Sequence, residues 1–560
     1  MHLWLGKKKK WFKFWPINVP KNIDYPEVSL QDLLRKTAKN YPKQIAIVYF
    51  NDEITYDELN VLSDQFAAGL IKINIKKGDR VALFLNNIPQ FIIAYFGILK
   101  IGAVVTTISP LHREREVNYQ LINSGAKSIV TLNSLYPIIE KIKQKTKLEN
   151  VILTDPNWQS FDTRSLLKSL TGKKNVFSFK EILKKNSISP IPRIAINSKL
   201  DLAVLQYTGG TTGTTKGAML THMNLVSNTL MFATWIQAKK AHERFLTTLP
   251  LFHIYGMTTS MNVPISLAAT MILIPKFDST KILETIQKKR ITIFCGVPTM
   301  YSVLLTNPKI ETFDLTSIRV CISGASPLPP YVQKKFMTIT NGFLAEGYGL
   351  TEASPVTHCN PIDKTMEKMR IGSIGLPLPD TDAKILDINN YKKELGVDEK
   401  GELAIKGPQV MLGYWQNSDE TALILKDGWL LTGDIGKMDK DGYFYITDRK
   451  KDLIKYKDYS IYPRELEDII YEHPAVKLCA VIGKPAPILG QIPKAFIVLK
   501  DETKISKMEI LTFVNEKVAP YKAIKEVEFR KTLPISSVGK VLRRILQNEE
   551  KLKQNRANKN

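Results

Sequence analysis

Residues 207–222 read Tyr-Thr-Gly-Gly-Thr-Thr-Gly-Thr-Thr-Lys-Gly-Ala-Met-Leu-Thr-His. Four glycines, five threonines and one lysine fall between Tyr207 and Gly217. The apolar run Leu202-Ala203-Val204-Leu205 just before it reads as a short buried strand, and Leu225, Val226, Leu230 and Met231 just after it recur at helical spacing. Strand, Gly/Thr loop, lysine and helix in that order form a phosphate-handling arrangement. Glycine lets backbone N–H groups approach an anion closely, threonine adds hydroxyl donors, and Lys216 adds a mobile positive charge. The spacing is not that of a Walker A loop, where Ser or Thr follows the lysine. Here Thr215 precedes Lys216 and Gly217 follows it.

The chain has 560 residues, 44% of them hydrophobic, enough for several compact units with a large core. Cys295, Cys321, Cys359 and Cys479 are scattered, with no Cys/His metal spacing, which argues against a zinc site and a disulfide framework and fits a reducing cytoplasm. Net charge is +25, but the lysines are spread along the chain without a nucleic-acid-binding motif, so no nucleic-acid partner is expected. Lys7–Lys10 and Lys13 lie among Trp4, Trp11, Phe12, Phe14 and Trp15. This composition suits an anionic membrane surface, or an arm that packs its aromatics on the domain. It lacks the apolar core and cleavage site of a signal peptide. Phe91–Pro110 approaches the length of a membrane span, yet Gly102 divides it into a buried helix, Pro89–Lys100, and a strand, Ala103–Ile108.

Helical and strand patterns alternate from about residue 30 to 330, the mark of an α/β body. Residues 140–200 are polar and lysine-rich, and read as a variable periphery. Short strands after residue 370 (383–386, 401–405, 442–446) read as a β-rich subdomain. A helix opening at Pro463, strands 476–483 and 494–499 and a helix over 507–518 make a smaller α+β unit. The tail after Leu546 is polar, and fraying is expected there.

Further motifs follow in order along the chain. Leu249-Pro-Leu-Phe-His-Ile-Tyr-Gly256 places His253 and Tyr255 in an apolar segment. Ser323-Gly324-Ala325-Ser326 is a small-residue turn after a strand, open to a flat base. Gly347-Tyr348-Gly349-Leu350-Thr351-Glu352 combines a tyrosine able to stack on a purine, a hydroxyl for a phosphate and a hard carboxylate suited to Mg²⁺. Thr432-Gly433-Asp434 offers a carboxylate to paired hydroxyls. Asp448-Arg449-Lys450-Lys451-Asp452 begins a charged stretch that continues to Lys455 and Lys457. Leu533–Arg544 contains Ser537-Val538-Gly539-Lys540.

Taken together, these segments closely resemble the adenylate-forming (AMP-binding) superfamily over nearly the whole chain, and within it the long- or medium-chain fatty acyl-CoA synthetases. The resemblance implies a large N-terminal AMP-binding domain, 1–447, of α/β subdomains plus the β-rich subdomain. It also implies a small mobile C-terminal α+β domain, 448–560, hinged at Asp448–Arg449. The implied reaction joins a carboxylate to ATP with release of pyrophosphate, then passes the acyl group to coenzyme A. Carboxylic acid, ATP, Mg²⁺ and coenzyme A are the implied small-molecule partners.

The same resemblance assigns roles by residue. Thr208, Gly209, Gly210, Thr211, Thr212, Gly213, Thr214 and Lys216 would hold the phosphates. Gly324, Ala325, Ser326, Gly347, Tyr348 and Gly349 would line adenine. Asp434 and Arg449 would meet the ribose or phosphate, Lys451 and Lys455 would approach the nucleotide, and Lys457 would approach coenzyme A. His253, Tyr255 and Gly324 would form the acyl pocket. Lys540, Thr351, Glu352 and His253 would act on the reacting groups, with Glu352 on the metal. An aryl-acid ligase of the coumarate type, an acyl-AMP ligase that forms no thioester and a non-catalytic basic membrane- or nucleic-acid-binding protein are the alternatives. A cytoplasmic enzyme is expected, with membrane association and a homodimer left open. One departure stands out: Asp458 occupies a position usually held by glycine beside the thiol channel, where a side chain could crowd the coenzyme A arm.

Overall fold

The computed structural model describes residues 9–156, 174–184, 191–208, 215–362, 367–457, 459–486, 489–500, 503, 505–536 and 540–557. Residues 209–214 and Asp458 lie outside these. By compactness the chain divides into two units, one of Phe14–Asp382 with Lys406–Leu430, the other of Met1–Lys13, Ala383–Ile405 and Leu431–Asn560.

The first unit is built on two sheets. The seven-stranded sheet runs Val176–Ser178, Asn150–Thr154, Ser128–Leu132, Arg80–Phe84, Val104–Thr107, Leu202–Thr208, Lys216–Thr221. All neighbours are parallel except the last pair. The nine-stranded sheet has a parallel middle (Val320–Ser323, Ile293–Gly296, Arg244–Thr247, Thr270–Leu273, Ile45–Tyr49) and antiparallel ends. Its middle strands are short apolar runs because helices cover parallel sheets on both faces. Helices Leu30–Asn40, Tyr56–Lys72, Pro89–Lys100 and His222–Trp235 supply the central core with both sheets.

The sequence expectation for Pro89–Lys100 holds. Among the described residues no helix is long and apolar enough to cross a membrane. Lys100 ends this helix fully buried, with its ammonium 2.8 Å from Asp64 and 2.8 Å from Ser63 Oγ. Burial pushes it down to about 8. Gly97 is required where this helix meets Phe66, since a Cβ would sit 2.7 Å from that ring.

One expectation fails in this unit. Residues 140–200 are not all periphery: Asn150–Thr154 is buried along its whole length and pairs on both sides in the seven-stranded sheet. The run Val151-Ile152-Leu153 is too short to stand out in a lysine-rich context, but two flanking strands bury it. The aromatic arm packs on the protein: Trp15 Nε1 donates to Val19 O at 2.7 Å, and its ring meets Trp235 edge-on at 5.0 Å.

Buried histidines give this unit a pH signature. His222 Nδ1 accepts from the Leu30 N–H at 3.1 Å, capping the neighbouring helix, and His358 Nδ1 lies 2.9 Å from Thr357 Oγ1. Burial pushes them down to about 4 and about 3. The unfolded chain binds these protons near its ordinary value of about 6.5 and the folded chain refuses them, so stability is retained above that pH and falls as pH drops toward 4. With His253 pushed down in the same way, denaturant titrations across this range should show unfolding linked to uptake of about three protons by these imidazoles. His222→Asn should remove about one of them.

The second unit also has two sheets. One orders Asp382–Leu386, Gly401–Lys406 and Trp429–Met438, with Phe444–Arg449 also on Trp429–Met438. The other orders Tyr459–Ile461, Ile454–Tyr456, Gly490–Leu499 and Val476–Ala486, with Glu526–Phe529 parallel to Gly490–Leu499. Helices Pro463–Tyr471 and Lys507–Asn515 close the core around Ile454, Leu466, Val481 and Ile497. Trp11 packs here, edge-on to Phe444 at 5.9 Å and against Gly442, where a Cβ would lie 2.5 Å from the Trp11 nitrogen. The expected frayed tail is instead the helix Arg543–Ala557. Leu546 and Glu550 are buried, and Glu550 pairs with Lys494 at 2.9 Å, so two residues in a polar stretch suffice to dock it.

Candidate active site

The candidate residues fall into two groups, one in each unit. In the first unit two paired strands flank the Gly/Thr segment. Leu202–Thr208 and Lys216–Thr221 pair antiparallel, with Thr208 opposite Lys216 and Tyr207 opposite Gly217. A strand therefore separates Lys216 from the helix His222–Trp235, which corrects the expected strand–loop–helix order. Thr208 and Lys216 anchor the loop's two ends. Tyr119 donates to Thr215 O at 3.0 Å and Tyr207 to Asn123 Oδ1 at 2.6 Å, bracing its base.

A segment that the sequence did not single out completes this hairpin. Residues 411–415 run along the outer strand: Leu412 N–H donates to Met219 O at 3.0 Å, Met219 N–H to Gly413 O at 2.9 Å and Trp415 N–H to Gly217 O at 2.8 Å. The same segment reaches Glu352, whose carbonyl accepts from Met411 N–H at 2.9 Å and whose Oε1 accepts from Tyr414 Oη at 2.6 Å. Lys216 Nζ sits 2.5 Å from Glu420 and 5.2 Å from the Tyr414 ring centroid.

Gly347, Tyr348 and Gly349 end the strand Phe343–Gly349, with Thr351 and Glu352 in the 3₁₀ turn Thr351–Ala353. A Cβ on Gly349 would stand 2.2 Å from Pro355 O, so only glycine fits there. Tyr348 packs against His358 at 6.0 Å. The neighbouring strand Val320–Ser323 leads into the turn at 324–326, where Ala325 has φ 69°. A left-handed alanine costs roughly 1–2 kcal/mol, which the surrounding sheet must supply.

Tyr255 lies against both His253 and Gly324. His253 Nδ1 accepts from Tyr255 N–H at 3.2 Å, which leaves the ring proton on Nε2. Burial pushes the imidazole down to about 4, so it is neutral at pH 7. Tyr255 Oη donates to Ile322 O at 3.0 Å, and a Cβ on Gly324 would be 3.1 Å from its ring. Three buried polar residues, also unmarked by any sequence motif, fix this segment. Asn87 Oδ1 accepts from Leu251 N–H at 2.9 Å, while Thr107 and Gln206 donate to Phe252 O at 2.6 and 3.1 Å.

In the second unit Asp434 and Arg449 face each other across paired strands, and Arg449 Nε lies 3.1 Å from Asp434 Oδ1. Half-buried Lys540 belongs to the same charge cluster. Desolvation and the nearby Arg449 push its ammonium down to about 7, against the pull of Asp434. Its backbone is tied to Ser536: Ser536 N–H donates to Lys540 O at 2.8 Å and Lys540 N–H to Ser536 Oγ at 3.1 Å. Asp448 accepts from the N–H groups of Arg449 and Arg464, both at 2.8 Å, and burial raises its carboxyl to about 6. Arg543 binds Glu467 at 2.5 Å and Asp452 at 3.2 Å. Lys451, Lys455 and Lys457 are exposed. Lys455 Nζ donates to Ser460 Oγ at 2.8 Å, and Lys457 adopts φ 51°.

Comparison with known proteins identifies the family. Residues 34–415 match the AMP-binding enzyme family and residues 465–540 the AMP-binding enzyme C-terminal domain. A long-chain-fatty-acid–CoA ligase of Bacillus subtilis is 42% identical, covering 98% of this chain and 99% of its own. The long-chain-fatty-acid–CoA ligase of Salmonella typhimurium is 38% identical over 97% of this chain and 98% of its own. Among solved structures, an anthranilate CoA ligase in complex with anthranoyl-AMP superposes with a TM-score of 0.82 at 26% identity, covering 94% of this chain and 98% of that one. The chain belongs to the AMP-binding, adenylate-forming enzyme family.

Proposed function

We propose that the protein is an ATP-dependent fatty acid–CoA ligase acting on long-chain acids. The observation that carries this reading is the full-length match to long-chain-fatty-acid–CoA ligases, in a chain that carries Lys216, Glu352, Asp434 and Lys540. In the first half-reaction a carboxylate oxygen attacks the α-phosphorus of ATP and pyrophosphate leaves. Lys216 and the hairpin ends take the phosphates, Asp434 the ribose hydroxyls and Tyr348 the purine face. Lys540 neutralises charge between carboxylate and α-phosphate, as a preorganised cation does for charge developing in a transition state. The neutral His253, a donor through Nε2, orients the carboxylate.

Among the described residues no group of three or more His, Cys, Asp or Glu could hold a metal by itself. A single carboxylate, Glu352, suits Mg²⁺ that is shared with substrate phosphates. Bound there, the ion would neutralise phosphate charge.

For the second half-reaction we infer rotation of residues 448–560 about Asp448–Arg449, after which the coenzyme A thiol attacks the acyl carbon and AMP leaves. Lys457 would meet coenzyme A in that state. Incubation with ATP, coenzyme A and acids from octanoate to stearate, with coumarate alongside, tests the reading. Thioester formation should rise toward the long chains, with coumarate inert. Preference for coumarate would establish the aryl-acid alternative, and acyl-AMP without thioester would establish the adenylate-only one.

A further inference from the structure

Glu352, in a 3₁₀ turn, and Lys216, at the start of a strand, lie far apart in sequence, yet one side chain touches both. Tyr414 Oη donates to Glu352 Oε1 at 2.6 Å, and its ring face lies 5.2 Å from the Lys216 ammonium. Glu420, six residues on, closes the group by pairing with the same ammonium at 2.5 Å. The backbone makes this arrangement rigid. Residues 411–415 hydrogen-bond to the strand that Lys216 opens and to the carbonyl of Glu352, and Tyr414 N–H donates to Thr421 Oγ1 at 2.8 Å. Trp415 beside it is pinned through Nε1 to Asn123 O at 3.1 Å. Tyr414 is itself buried, so its ring is not free to swing away.

We propose that Tyr414 is a positioning residue for adenylation, orienting the Glu352 carboxylate through its hydroxyl and seating the Lys216 ammonium on its ring. This rests on the roles given above to Lys216 and Glu352. A carboxylate with one oxygen held by a hydroxyl presents the other in a set direction, and hydrogen-bond partners of metal-ligating carboxylates typically change metal affinity by about 10–100-fold when removed. A cation over an aromatic face gains from the ring quadrupole while its remaining protons stay available to an incoming anion. Tyr414 thus couples the metal-side and phosphate-side groups before the nucleotide arrives.

The two contacts predict separable losses. Tyr414→Phe keeps the ring and deletes the donor to Glu352. Its half-saturating Mg²⁺ in fatty-acid-dependent ATP–pyrophosphate exchange should rise about 10-fold, with the fatty acid KM unchanged. Calorimetry with a non-hydrolysable ATP analogue should show the same loss in the affinity gained on adding Mg²⁺, and unchanged affinity without it. Tyr414→Leu, which removes the ring as well, should also weaken analogue binding in the absence of Mg²⁺. Wild-type exchange and Mg²⁺-enhanced binding alongside an unchanged Tyr414→Phe would overturn the positioning role alone. Loss of thermal stability with all kinetic parameters shifted together in Tyr414→Phe would show a structural role instead. Absence of fatty-acid-dependent exchange in the wild type would overturn the functional reading itself.

Discussion

Lys540→Ala should lower the rate of fatty-acid-dependent ATP–pyrophosphate exchange by about 10²–10³-fold, equivalent to roughly 3–4 kcal/mol of transition-state stabilisation. Thioester formation from supplied acyl-AMP should change little, because in the proposed cycle Lys540 serves only the first half-reaction. The pH dependence makes this sharper. Desolvation and Arg449 push the ammonium down to about 7, far below the usual lysine range. The cation is present below that pH and lost above it. Since kcat/KM reports the free enzyme, kcat/KM for ATP should fall as pH rises through 7. Under saturating ATP the anionic nucleotide favours the charged amine, so the fall in kcat should come at higher pH. Lys540→Arg cannot lose its charge in this range and should abolish the alkaline limb even at reduced rate. Stopped assays from pH 6 to pH 9 check this, and an unchanged limb in Lys540→Arg would assign it to another group.

Glu352→Gln should produce the second large effect, a loss of about 10²-fold in the same exchange reaction. The amide oxygen still accepts from Tyr414, so the fold and melting temperature should hold while the charge facing the phosphates disappears. The loss should be accompanied by a raised Mg²⁺ requirement and little change in the fatty acid KM. Equal loss at all Mg²⁺ concentrations would argue that Glu352 acts on something other than the metal. Lys540 and Glu352 belong to different half-sites, so comparing their defects in exchange and in acyl-AMP thiolysis separates charge neutralisation at the α-phosphate from metal placement.

Much of this protein was legible in its residues, for identifiable reasons. Glycine-rich loops announce themselves because their backbones have few alternatives: Gly349, where a Cβ would meet Pro355 O at 2.2 Å, lies in a recognisable motif. Helix Pro89–Lys100 was readable from its proline start and glycine stop. What escaped was long-range. Tyr414, Glu420 and Asn87 have no local pattern, and their meaning appears only when the fold brings them to Glu352, Lys216 and Leu251. Strand Asn150–Thr154 was obscured by polar neighbours in sequence that are not its neighbours in space. Helix Arg543–Ala557 was obscured because its few docking residues, such as Leu546 and Glu550, are diluted by charge. The hairpin position of Lys216 escaped because Lys216–Thr221, an edge strand of mixed polarity, does not show the alternation that marks a strand.

The central claim is that the enzyme activates a fatty acid by forming acyl-AMP. Palmitate labelled with heavy oxygen in its carboxylate, turned over with ATP, Mg²⁺ and coenzyme A, tests it most directly by mass spectrometry of the nucleotide product. Attack of the carboxylate on the α-phosphorus predicts one labelled oxygen in each AMP and none in pyrophosphate. Unlabelled AMP, or ADP with labelled orthophosphate, would contradict it.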